Sequence, residues 1–266
     1  MLSSKILAIV TFVYLAATLV HIAGLIFKSR IMPQIGSIIV LGGFGAHTVS
    51  IILRWIESHK MGLGHAPFAN FYESLVFFAW ATVLIHFVAR YRYKLIHAGA
   101  FTLPFAFFGL AYASFSPDIT SRIEPLIPAL RSNWLIAHVI TCFIGYGAFA
   151  VSCGLSVAYL VRGTRENENL DMMNYRMIVF GFLFLTAGIA TGSIWAHSAW
   201  GAYWQWDPKE TWSLITWLIY ATVLHARLRG WYGKKIALLS ISGFISVLFT
   251  YFGVNFLMAG LHSYMN

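Results

Sequence analysis

Residues 195–217 read WAHSAWGAYWQWDPKETWSLITW, and they hold six of the ten tryptophans in the 266-residue chain: Trp195, Trp200, Trp204, Trp206, Trp212 and Trp217. The stretch lies between two strongly apolar segments, near 177–198 and 211–229, and contains a single aspartate, Asp207. Tryptophan is large, flat and amphipathic, with one N–H to satisfy. An aromatic belt at a membrane surface would spread such rings over many helix ends. Here four aromatics fall within the seven residues from Trp200 to Trp206, followed at once by Asp-Pro. The segment therefore reads as a loop between two membrane helices that serves as a platform for a flat apolar ligand.

Composition gives the surroundings of that platform. The chain is 59% hydrophobic and only 10% charged, against about 25% charged residues in soluble domains. A hydrocarbon core needs roughly 20 apolar residues per helix. Eight stretches meet this, near 5–27, 34–55, 71–90, 95–115, 134–161, 177–198, 211–229 and 236–258. The fourth is the weakest, because Pro104 removes a helical hydrogen bond. The first is too long for a signal-peptide core and is expected to be a retained helix. The expected fold is all-α, a polytopic membrane protein of about eight transmembrane helices. Residues 1–266 are expected to form one integral membrane domain without a soluble part.

The net charge of +9 is a topology signal. Eight spans place twelve of the eighteen Lys and Arg on one side, among them Lys28, Arg30, Arg90, Arg227 and Lys234, and six on the other. By the positive-inside rule, both termini and the tryptophan segment then face outward. This distribution argues against nucleic acid as a partner. Cys142 and Cys153 lie eleven residues apart in one helix, a rise of roughly 16 Å, too far for a disulfide. They read as small buried residues.

Gly201 permits a bend or a close backbone approach. Asp207 precedes Pro208 as a favourable N-cap of the seventh helix, and Glu210 suits its first turn. Lys209 is one of few outward cations. His138, one turn into the fifth helix, and His262, just beyond the eighth, fall at the same outer level as the tryptophans. His21, His86 and His225 share a deeper level, where ionisable groups are costly and tend to be functional. His47 lies near mid-membrane without an obvious partner, whereas His59, His65 and His97 fall in connections and are expected to be solvated. His197 flanks the tryptophans. Glu73, in GLGHAPFANFYES (62–74), is either a helix-terminus charge or part of the outer site. A tryptophan shelf with two imidazoles at one level points to haem. The sequence has no phosphate loop, HExxH or nucleophile elbow.

The stretch from Trp195 to Leu228, ending YATVLHARL, resembles the tryptophan-rich WWD signature of the haem-handling membrane proteins of cytochrome c biogenesis. Within that group WDPKETWSLITW is similar to the synthase subunits of System II, the CcsA/ResC type. PFANFYESLVFFAW, NWLIAHVITCFIGYG and GVNFLMAGLHSY look like further blocks of the family, so the resemblance runs from about residue 65 onward.

The resemblance implies a cytochrome c synthase subunit, a holocytochrome c synthase of the haem lyase type that works with a partner. It implies heme b as substrate and ligand, with His138 and His262 as axial ligands to the outer iron. Trp200, Gly201, Trp204, Trp206 and Asp207 would form the outer platform, with no residue acting as nucleophile. His225 would meet haem at the inner level. There the opposing ligand is expected from a partner subunit, with His86 or His21 as alternatives. The implied partners are a CcsB/ResB-type membrane subunit, the CxxCH segment of an apocytochrome c, and a thioredoxin-like thiol reductant. The implied location is a bacterial cytoplasmic membrane or a thylakoid membrane. A haem exporter without ligation chemistry of its own is the alternative reading.

Overall fold

The structure is a computed structural model that describes residues 1–93, 95–162 and 167–261. His262, one of the two expected outer ligands, lies outside the described residues.

Eight main helices follow the eight apolar stretches: α1 (Leu2–Ile26), α2 (Met32–Lys60), α3 (Phe71–Tyr93), α4 (Gly99–Phe115), α5 (Asn133–Arg162), α6 (Asn167–Trp200), α7 (Pro208–Leu228) and α8 (Lys234–Leu248). The helical path continues beyond α8 through a π-helical turn, Phe249–Gly253, and a last α-turn, Val254–Leu257. The described residues contain no strand. Six helices are long and apolar enough to cross a membrane, counting Lys234–Leu257 as one, so the chain is a polytopic membrane protein. α4 is short at 17 residues, about 26 Å at 1.5 Å per residue. α7 does not reach the same apolarity, because Ser, Thr, Trp and a charged first turn interrupt it.

The chain forms two compact units, Met1–Ile127 and Pro128–Asn266. In the first, helix faces are sorted in the sense opposite to a soluble protein. α1 buries Ser3, Thr11, Tyr14, Thr18 and His21 along one stripe, while Ile9, Phe12, Leu19 and Ile26 are exposed. α2 likewise buries Gly36, Ser37, Gly43, His47, Ser50 and Arg54. Lipid solvates apolar side chains but no polar group, so polar residues turn inward and small ones let the helices approach. His47 finds its partner here, with its Nδ1 3.1 Å from the Tyr14 hydroxyl.

The segment between α2 and α3 is built rather than merely solvated. Arg54 and Glu73 form an ion pair at 2.7 Å, each side chain 1% exposed. Arg54 also donates to the carbonyls of Ser121 (2.9 Å) and Arg122 (3.2 Å). Glu73 accepts from the Ala69 amide (2.8 Å), and the Asn70 side chain accepts from the Glu73 amide (2.8 Å) at the start of α3. All three nitrogens of Arg54 and both carboxylate oxygens of Glu73 thus have a partner, which is what makes a buried charge tolerable. Of the two readings of Glu73 this is the structural one. The expectation that His65 is solvated is corrected: it is buried, and its Nε2 lies 3.0 Å from the Glu124 carbonyl. His59 is exposed, as expected.

In the second unit, α5 and α6 pack through glycine. A Cβ on Gly145 would stand 3.1 Å from the Gly181 carbonyl oxygen, and one on Gly188 2.5 Å from the Cys142 sulfur. Asp171 pairs with Arg227 at 2.5 Å and accepts from the Gly233 amide at 3.0 Å, which ties α6, the end of α7 and the start of α8 together. Both cysteines are buried free thiols.

Replacing Glu73 by alanine leaves the Arg54 guanidinium buried without its counter-charge, and the expected cost is about 3–5 kcal/mol. Arg54→Met combined with Glu73→Leu recovers most of that loss. Thermal unfolding of the detergent-solubilised protein measures both; equal stability of Glu73→Ala and wild type would remove the pair from the account of this unit.

Candidate functional site

The tryptophan-rich segment is mostly helix. α6 runs on through Trp200 and α7 begins at Pro208, so the expected long loop shrinks to residues 201–207. The six tryptophans do not surround Asp207 as one patch. Trp195 and Trp200 close the end of α6 with their rings 4.8 Å apart. Trp204 and Trp206 meet edge to face within the loop, at 5.7 Å. Trp212 packs on Phe249 at 4.1 Å, and Trp217 on Phe182 at 5.0 Å with its N–H donated to Thr186. Helical spacing divides what is contiguous in sequence into separate clusters.

His138 stands beside the first of them. Its ring lies parallel to Trp195, with centres 6.0 Å apart and planes 16° apart. Trp195 is itself 2% exposed and donates its N–H to the Ala129 carbonyl at 2.8 Å, so it backs the imidazole rather than offering a face outward. His138 Nδ1 lies 2.8 Å from the carbonyl oxygen of Gly188. A carbonyl only accepts, so Nδ1 carries the proton and the lone pair of the neutral ring stands on Nε2. A backbone carbonyl orienting the second ring nitrogen is the arrangement of most metal-ligating histidines. Gly192 makes the approach possible, since a Cβ there would fall 2.5 Å from Nδ1.

The loop is held by a capping box at the start of α7. The Asp207 carboxylate accepts from the Lys209 amide at 3.0 Å. Glu210 reaches back to the amides of Asp207 (3.2 Å) and Gln205 (2.8 Å). Both carboxylates are buried, at 7% and 8% exposure. Gly201 has φ +81° and Trp206 φ +57°. A bulky residue in the left-handed region is rare and costs about 1–3 kcal/mol, and such strain gathers at functional sites. It holds Trp206 68% exposed, beside a half-buried Trp204. His197, also exposed, stacks on Tyr203 at 4.3 Å.

Asp207 does more than cap. Its second oxygen accepts from the Leu261 amide at 2.6 Å. A Cβ on Gly260 would collide with that oxygen. Lys209 donates to Asn255 at 2.9 Å, just past the π-helical turn. The chain immediately before His262 is thus anchored to the tryptophan loop by two polar contacts. Sequence reasoning missed Gly188, Gly192, Gly260 and Leu261. The Asp207–Glu210 spacing was a visible capping-box signal, but the contact with Leu261 is non-local and has none.

The deeper histidines are distributed otherwise. His225 is exposed in the last turn of α7. His21 and His86 belong to the first unit and are fully buried against each other, with ring centres 6.3 Å apart.

A family model described as cytochrome C assembly protein matches residues 68–262. The chain belongs to that family. Similar proteins include the cytochrome c biogenesis proteins CcsA of Synechococcus sp. (strain CC9605), 41% identical over 254 residues (82% of each chain), and of Guillardia theta, 38% identical over 294 residues (96% of this chain and 94% of that one). The CcsA of Chlamydomonas reinhardtii is 42% identical over 229 residues, covering 80% of this chain and 64% of its own. Among solved structures, the cytochrome c heme lyase CcmF superposes with a TM-score of 0.67 at 18% identity. That match covers 97% of this chain and 47% of the longer one. At such identity it is a likeness of fold.

Asp207→Ala is expected to destabilise the protein by about 1–3 kcal/mol, from a lost helix cap and a buried amide left without its acceptor. Hydrogen exchange followed by mass spectrometry should show faster exchange at both the start of α7 and the peptide containing Leu261. Acceleration at α7 alone would mean that the carboxylate does not hold the C-terminal segment.

Proposed function

We propose that this chain is the haem-presenting subunit of a cytochrome c synthase. It takes haem across the membrane, holds it at the outer tryptophan loop, and offers it to an apocytochrome for covalent attachment. The observation that carries this reading is His138. Its Nδ1–H is directed to the Gly188 carbonyl and its ring lies parallel to Trp195, the arrangement of an imidazole that ligates iron through Nε2.

His138 and His262 would be the two axial ligands. The Asp207–Leu261 contact supports His262 in this role, because it fixes the residue immediately before it. Trp200, Trp204 and the exposed Trp206 would cover the porphyrin face, and Gly201 would allow the backbone to pass close to its edge. Lys209 supplies a cation suited to a propionate. His225, exposed near the inner end of α7, would meet haem earlier on its path, with a ligand from a CcsB/ResB-type partner opposite.

The covalent step is the addition of two thiols of a CxxCH segment to the two haem vinyl groups. At each vinyl the π bond breaks, sulfur bonds to one carbon, and a proton comes to rest on the other. The addition is redox-neutral, provided that a reductant such as a thioredoxin-like protein has kept the thiols reduced. The chain's part is to bring vinyl and thiol together in a water-poor site, where proximity does most of the work. The substrate histidine would then replace one of the protein's imidazoles and release the product. The relatives from cyanobacteria and algae favour a thylakoid membrane, with the loop and both termini on the lumenal side.

The test is co-expression with the partner subunit and a cytochrome c reporter, in cells without their own maturation system. Wild type should give covalent haem product, and the purified complex a sharp reduced α band. His138→Ala and His262→Ala should weaken or shift that band and abolish product. Gly192→Ala, which pushes the ring of His138 aside, should reduce product without removing either ligand. Bound haem in wild type with no covalent product would favour an exporter, and a spectrum indifferent to both histidines would overturn the site.

A further inference from the structure

Within the first unit, His21 of α1 and His86 of α3 are fully buried, with ring centres 6.3 Å apart and planes at 82°. The Thr102 hydroxyl lies 2.7 Å from His86 Nδ1 and also donates to the Ala98 carbonyl at 3.0 Å. A hydroxyl has one proton, so toward His86 it accepts. Nδ1 of His86 is therefore the protonated nitrogen, and the lone pair stands on Nε2. That nitrogen has no hydrogen-bond partner among the described residues, and neither nitrogen of His21 has one. Three unsatisfied ring nitrogens in one dry place carry a cost, since each buried polar group left unpaired loses about 1–3 kcal/mol.

The surroundings narrow what could satisfy them. A Cβ on Gly36 of α2, or on Gly99 of α4, would stand 2.7 Å from the ring of His21, so the imidazole sits in a slot between two glycines. The slot has no room for a macrocycle. No third His, Cys, Asp or Glu completes a cluster among the described residues. The charge of Arg90, whose guanidinium is held by the carbonyls of Ile96 (2.8 Å) and Pro33 (3.1 Å), reaches both rings. A doubly charged ion that needs four ligands, as zinc does, does not fit the donor count, and the field of Arg90 opposes it twice as strongly as a singly charged one. A singly charged d10 ion needs only two donors in line, and imidazole suits copper. Two imidazoles joined end-on through one ion, with bonds of about 2 Å, stand with their centres about 6 Å apart.

We propose that His21 and His86 form a two-coordinate binding site for a single Cu(I) ion, oriented by Thr102. The site is independent of the outer haem site and uses none of its residues.

The full chain in neutral phospholipid nanodiscs, freed of metal, is titrated anaerobically with Cu(I) against a chromophoric Cu(I) chelator. Wild type and the exposed-surface control His59→Ala should each retain one equivalent. His21→Ala and His86→Ala should lose it. Thr102→Val leaves both donors but removes the orienting hydroxyl, and should weaken binding about 10- to 100-fold, while its loss of melting temperature, from the buried Nδ1–H left unpaired, is the same with and without the His59→Ala control change. X-ray absorption of the loaded protein should show two nitrogen neighbours. Absence of copper from wild type would overturn the proposal. So would equal retention by the His21→Ala/His86→Ala double variant, or haem absorbance lost from these variants in a wild type that takes no copper.

Discussion

The close approach of α5 and α6 is the constraint on which the setting of His138 depends. Four glycines, Gly145, Gly181, Gly188 and Gly192, remove the side chains that would hold the two backbones apart. Only then can a histidine on one helix reach a backbone carbonyl of the other. The hydrogen bond from His138 to Gly188 O uses a carbonyl that also accepts from Thr191 at 3.1 Å. Such an acceptor has no rotamers to lose and holds the imidazole more rigidly than a flexible carboxylate would. Trp195, fastened by its own N–H to Ala129, completes the brace from the other side.

The same inversion of polarity organises both units. Because lipid can satisfy no backbone or side-chain dipole, polar side chains are spent on one another: Tyr14 with His47, Arg54 with Glu73, Ser152 with Asn174 and Ser240, Thr216 with Ser246 and Thr250. The last of these lies where α8 passes into the π-helical turn, and Thr250 there accepts no regular place in an α-helix but reaches the Trp212 carbonyl at 3.2 Å. Beyond that turn, Asn255 lies against Lys209 and Gly260 against Asp207. π-turns recur at functional sites.

Much of the fold was legible in hydropathy alone, because a helix that must span lipid writes its length into the sequence. All eight stretches became helices, and the fourth, doubted for Pro104, runs through that residue as the 17-residue α4. Helix faces were harder to read. His47 shows no partner in the sequence and His65 reads as solvated because the groups they meet, Tyr14 and the Glu124 carbonyl, are distant in the chain. The tryptophan cluster was misjudged for a related reason: at 100° per residue, neighbours in sequence diverge around a helix, and Trp212 and Trp217 leave the loop for separate packing. His138 was visible by depth, but the Gly188 carbonyl that orients it belongs to the backbone and carries no residue-type signal.

The two oxygens of Asp207 have divided loyalties, one to the first turn of α7 and the other to the amide of Leu261. A single side chain thereby acts as a hinge pin through two parts of the chain more than fifty residues apart. Disturbing either contact of this buried carboxylate is therefore felt at the other. The tryptophan loop and the segment that ends at Leu261 thus share one fastening, and neither is positioned independently of the other.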